Sequence, residues 1–125
     1  MIAYLRDESS ESVVEDRLTE PSNQCFAHSM NLCEVFYDFY RSGGRGMASQ
    51  ALDDLTRAGI VEVPTLDRDF WQSASTLKAI HRRVSLADCS LIALAKQLQA
   101  SVLTADHHEF DALLDQAVCA VEFTR

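Results

Sequence analysis

The chain has 125 residues, 47% of them hydrophobic, enough for one packed core but not for two independent ones. Lys and Arg number 11 against 19 Asp and Glu, a net charge of -8, which argues against a broad cationic surface for duplex nucleic acid or anionic lipid. A polyanionic substrate met through bound dications is not excluded, because the positive charge then resides in the metal.

The expected elements follow in chain order. After an apolar start at Met1 to Leu5, an acidic stretch leads into a helix carrying Val13, Val14 and Leu18, which Pro21-Ser22-Asn23 ends. Gln24 to Ala27 is a brief strand candidate. From about Ser29, Leu32, Val35, Phe36, Phe39 and Tyr40 repeat with helical spacing, an amphipathic pattern that Gly43-Gly44-Arg45-Gly46 interrupts. Ala48, Ala51, Leu52 and Leu55 mark a further helix with Gly59 placed as its C-terminal cap, and Ile60 to Val63 is expected as a buried strand closed by Pro64.

Asp67 is suited to cap a helix with Phe70, Trp71, Ala74 and Leu77 inward. The next helix, from Ser85, is expected to bury Leu91, Leu94, Ala95 and Leu98. Val102 to Thr104 then forms a strand, His107 to about Asp115 a short helix, and Val118 to Phe123 a last strand. Strands separated by helical crossovers imply a parallel sheet covered on both faces. A single domain over residues 1–125 is expected.

Cys25, Cys33, Cys89 and Cys119 lie far apart and form no C-x-x-C pair, so they are expected as buried thiols of a reducing compartment. No basic segment followed by an apolar core opens the chain, and no stretch approaches the roughly 20 apolar residues of a membrane span. A cytoplasmic protein without membrane attachment is the expectation.

The chemistry is concentrated late in the chain. Asp88 falls in the first turn of one helix and Asp106 just past the C-terminal end of the next strand, where ligand sites of α/β proteins form. At Asn31-x-x-Glu34, Ser85-Leu86-Ala87-Asp88 and Thr104-Ala105-Asp106-x-x-x-Phe110, the sequence resembles a PIN domain, specifically the toxin ribonuclease of bacterial and archaeal toxin-antitoxin systems (VapC-like). The resemblance covers nearly the whole chain.

It implies a three-layer α/β/α fold around a central parallel sheet of strand order 3-2-1-4-5. It also implies an acidic site that holds Mg²⁺ or Mn²⁺ and hydrolyses RNA, an antitoxin partner and a homodimer. Glu34, Asp88 and Asp106 match three of the family's four metal-binding and catalytic acids. The fourth, an Asp ending the first strand, belongs to a segment preceding the residues that match Ile2 to Leu5. The expectation is therefore a sheet without its central strand, about 9.6 Å being the width such a strand leaves between its neighbours.

Each acid also has a plainer reading. Ser85-x-x-Asp88 and Asp106-x-x-Glu109 both fit capping boxes, and Glu34 suits the positive end of its helix. Thr104 and Ser85 are expected either to support the acids or to satisfy backbone. Asn31, one turn before Glu34, either orients it or is an ordinary residue of a helix start.

Arg82-Arg83 suits phosphate contact or simple solvation, and His107-His108 has no thiol spaced for zinc. The stripe of Leu32, Phe36, Phe39 and Tyr40 with Phe70 and Trp71 is core, a dimer surface or an antitoxin groove. Three functions compete: the metal-dependent endoribonuclease, a PIN-like binding module without activity, and a phospho-receiver domain. The last lacks a strand-end lysine late in the chain.

Overall fold

The computed structural model describes residues 11–116 and 118–124, which fall into two compact units that divide between Pro64 and Thr65. The apolar start and the acids Asp7 and Glu8 lie outside the described residues. Among the described residues the order is α1 (Glu11–Thr19), β1 (Cys25–His28), α2 (Ser29–Arg57), β2 (Ile60–Val63), α3 (Arg68–Ile80), α4 (Leu86–Leu98), β3 (Val102–Thr104), α5 (His107–Asp115) and β4 (Val121–Phe123).

The first unit is organised around α2. Its N-cap is His28, whose Nδ1 accepts the Met30 N–H at 3.1 Å while the imidazole itself is buried. The expected break between two helices is one residue, Gly44, at φ 83 and ψ −176 inside an otherwise helical run. Val35 and Phe39 before it share one cluster with Ala48, Ala51 and Leu55 after it, with Leu32, Phe36, Leu52 and Ile60 packed alongside. In a straight helix even Phe39 and Ala48 lie roughly 13 Å apart along the axis, so the cluster requires α2 to turn at Gly44.

A side chain at that φ/ψ is strained by about 1–3 kcal/mol, and nothing lies within 4 Å of the place a Cβ would take. Gly44→Ala is therefore expected to destabilise by that amount through backbone strain alone. Gly46→Ala, also in open space and at ordinary helical φ, is expected to stabilise by about 0.5–1 kcal/mol. Urea unfolding of the two variants checks the opposite signs. Past Arg57 the helix closes on Ala58, with Gly59 at φ 95 donating its N–H to Thr56 O.

β1 and β2 pair in parallel, Cys25 opposite Ile60 and His28 opposite Val63. In the second unit β3 and β4 pair in parallel, Val102 opposite Val121 and Thr104 opposite Phe123, and the ladder continues through Thr124 N–H to Thr104 O at 2.9 Å. Each pair is a separate two-stranded sheet among the described residues.

Burial departs from the sequence pattern in several places. Trp71 and Tyr40 are 42% and 52% exposed, so the apolar stripe is only partly core. β2 is not a buried strand, since Val61 and Glu62 face solvent. β4 begins at Val121 rather than Val118. On α4 the buried positions include Ala87, Cys89, Ile92, Ala93, Leu94 and Ala95, while Leu91 is half-buried and Leu98 exposed.

The inward set of α4 spans more than one face, which a single amphipathic stripe does not describe. Of the four cysteines, all free, Cys89 is buried, Cys25 and Cys119 are half-buried and Cys33 is exposed. The expectation of buried thiols thus holds fully only for Cys89. None of the helices among the described residues is long and apolar enough to cross a membrane.

Candidate active site

In the second unit two helix starts are bonded to each other. Ser85 is the N-cap of α4: its Oγ accepts the Asp88 N–H at 3.0 Å and its hydroxyl donates to Asp88 Oδ2 at 2.9 Å. Asp106 is the N-cap of α5, its Oδ1 accepting the Glu109 N–H at 3.0 Å. The forward half of each expected capping box is therefore present.

The return halves are replaced. Ser85 N–H donates not to Asp88 but to Glu109 Oε2 at 3.0 Å, 24 residues along the chain. Asp106 N–H donates to Thr104 Oγ1 at 3.0 Å, leaving Glu109 to reach α4. Asp88, Ser85, Glu109 and Asp106 thus form one continuous hydrogen-bonded chain across the two helix starts. Thr104 takes the backbone role of its two expected readings.

Charge reinforces this arrangement. Asp88, Asp106 and Glu109 all sit at helix N-termini, where the exposed amide dipoles favour carboxylates. Lys78 of α3 brings a positive charge to the segment, its Nζ donating to the carbonyls of Arg82 and Val84 at 2.8 and 2.7 Å. Buried Cys89 feels Lys78, Asp88 and Glu109. Burial pushes its thiol pKa up, Asp88 and Glu109 add to the rise, and Lys78 opposes it.

Arg82 and Arg83 are both exposed, as a solvated pair is. His107 stacks on Phe123 at 3.9 Å between ring centroids and bonds Asp111 through Nδ1 at 3.0 Å. In the first unit, Asn31 is buried in the opening turn of α2 and Glu34, one turn on, is half-buried.

The donors suit a hard dication in kind, since Mg²⁺ takes carboxylate oxygens and keeps several waters. Among the described residues no group of three or more His, Cys, Asp or Glu is assembled to hold a metal ion. What the structure brings together is the Asp88, Glu109 and Asp106 relay, of which Glu109 had been expected only as a capping residue of its own helix.

The family model of the PIN domain matches residues 1–113. The chain belongs to the PIN domain family. None of the curated proteins compared with this chain matches it. Among solved structures it is similar to a chain of the crystal structure of VapBC2 from Rickettsia felis bound to a DNA fragment from their promoter. The TM-score is 0.71 at 16% sequence identity, over 98% of this chain and 91% of that one. The two share the mixed α/β fold with parallel strands that this PIN domain displays. The match to residues 1–113 includes Glu34, Asp88 and Asp106, together with Glu109.

Proposed function

We propose that this PIN domain is a Mg²⁺- or Mn²⁺-dependent endoribonuclease, the toxin of a toxin-antitoxin pair. Its proposed catalytic acids and metal ligands are Glu34, Asp88 and Asp106. Family membership supports a nuclease. The observation that carries the assignment is the bonded chain from Asp88 through Ser85 and Glu109 to Asp106, which ties two carboxylate-bearing helix starts to each other.

A bound dication would lower the pKa of an attacking water and stabilise charge on the phosphate. The protein's own contribution is orientation. Ser85 holds Asp88 through two hydrogen bonds, and Thr104 fixes the backbone from which Asp106 projects. Asn31, itself buried, lies in the opening turn of the helix that carries Glu34.

An antitoxin partner is proposed because the similar fold occurs in VapBC2, and a homodimer because α2 exposes Tyr37, Tyr40 and Met47. Cytoplasmic location goes with both. The test is incubation of the chain with single-stranded RNA and 1:1 titration of Mn²⁺. Cleavage is expected with Mn²⁺ or Mg²⁺ and is expected to stop on addition of EDTA. Cleavage that persists unchanged in EDTA removes the metal from the reading.

One observation favours a second reading, a PIN-fold binding module without catalysis: no three-ligand group is assembled among the described residues. Calorimetric Mn²⁺ titration separates the two. Saturable binding that Asp88→Asn weakens supports the enzyme, and no binding with intact partner association supports the module.

A further inference from the structure

The segment before α4 is held from two sides by side chains of opposite charge. From α3, Lys78 Nζ takes the carbonyls of Arg82 and Val84 at 2.8 and 2.7 Å. From α5, Glu109 Oε2 takes the N–H of Ser85 at 3.0 Å. Between these grips Val84 is buried, its N–H donating to His81 O at 3.0 Å. Four hydrogen bonds therefore set where residues 82–85 lie before α4 begins.

Glu109 does something here that a capping residue does not. At the third position of α5 it would ordinarily return to the amide of its own N-cap, and Asp88 would do the same on α4. Instead the partners are crossed. Thr104 serves Asp106 N–H, Glu109 serves Ser85 N–H, and Asp88 receives the Ser85 hydroxyl. Glu109 is half-buried, so water competes poorly for the hydrogen bond it makes to the Ser85 amide.

We propose that Glu109 is a positioning residue: by holding the Ser85 amide it locks the start of α4 to the start of α5, and so sets the carboxylate of Asp88 relative to that of Asp106. Its consequence for cleavage rests on the nuclease reading above, whereas the lock itself is a property of the metal-free protein. Glu109 acts by reach, not by charge. Gln at this position keeps an acceptor oxygen at the same distance from the backbone. Asp keeps the charge and loses one methylene of reach.

The experiment compares Glu109→Gln, Glu109→Asp and Glu109→Ala in the full chain, with circular dichroism to confirm folding. Amide hydrogen exchange at Ser85, read by NMR without metal, is expected to speed up about tenfold or more in the Asp and Ala variants and to stay near wild type in the Gln variant. Mn²⁺ affinity and kcat/KM are expected to fall about 10- to 100-fold in Asp and Ala, with Gln within a few-fold of wild type.

Ser85 exchange that ignores all three substitutions overturns the lock. A Gln variant as poor in Mn²⁺ binding as Ala also overturns it, since Glu109 would then act by charge as a ligand. If Ala fails to fold, the Gln and Asp pair decides alone. A wild-type chain that neither binds Mn²⁺ nor cleaves RNA, yet shows the expected exchange pattern, supports the lock and removes the nuclease reading by itself.

Discussion

Asp88→Asn is expected to lower RNA cleavage on the order of 100-fold or more while changing the unfolding free energy by less than about 1 kcal/mol. The two effects separate because Asp88 has two roles that asparagine divides. Its backbone N–H, donated to Ser85 Oγ, is untouched, and the amide oxygen of asparagine still accepts the Ser85 hydroxyl. What is lost is the charge. At the start of α4 that charge is worth about 0.3–1 kcal/mol against the helix dipole, and part of this is offset by relief from neighbouring Glu109.

For a hard dication the change is far larger, because the neutral amide oxygen is a poorer ligand than a carboxylate. Asp106→Asn should follow the same pattern, asparagine being as good an N-cap as aspartate. Measured kcat/KM with Mn²⁺, set beside urea unfolding of the same samples, checks both variants. Large losses of stability with little loss of cleavage would return the acids to plain capping. Full activity in both variants would remove the ribonuclease reading.

Much of the fold follows from local signals that act over one or two turns. Asp67 and Ser85 cap the helices they were expected to cap, and Asp106 does the same for α5. Val102–Thr104 is a strand, and Gly59 adopts the positive φ its place after a helix suggests. Which strands are neighbours, β1 with β2 and β3 with β4, is not stated by spacing alone.

What the pattern missed depends on contacts between distant residues. Trp71 and Tyr40 have the right helical phase for burial, but phase names a face without naming what covers it. Three glycines in four residues suggest a loop between helices. Only Gly44 leaves helical geometry, so a turn within α2 replaces the loop. Glu109 shows the same limit at the site. Both Ser85-x-x-Asp88 and Asp106-x-x-Glu109 match capping boxes, and no local rule states that Glu109 crosses to Ser85.

Phe110→Ala is expected to destabilise the protein by about 3–5 kcal/mol, a large share of the roughly 5–15 kcal/mol that holds a domain of ordinary stability together. Phe110 is 0% exposed and the largest fully buried side chain among the described residues. It lies on the first turn of α5, its N–H donating to Asp106 O at 3.3 Å, one residue after Glu109. Truncation removes the apolar area of a whole ring and leaves a cavity that its buried neighbours fill only in part.

Leu114→Ala on the same helix is the matched comparison, because Leu114 is 42% exposed and should cost about 1 kcal/mol or less. Urea unfolding of both variants gives the contrast directly, and a Phe110→Ala cost no larger than that of Leu114→Ala would mean that α5 is not anchored by its phenyl ring. The ring also bears on the site. Glu109 reaches Ser85 only while the first turn of α5 is seated, so the Ser85 amide should lose protection in Phe110→Ala under conditions where most molecules remain folded. That loss would show that the packing beneath α5 is what seats Glu109 so that it can keep the two carboxylate-bearing helix starts in register.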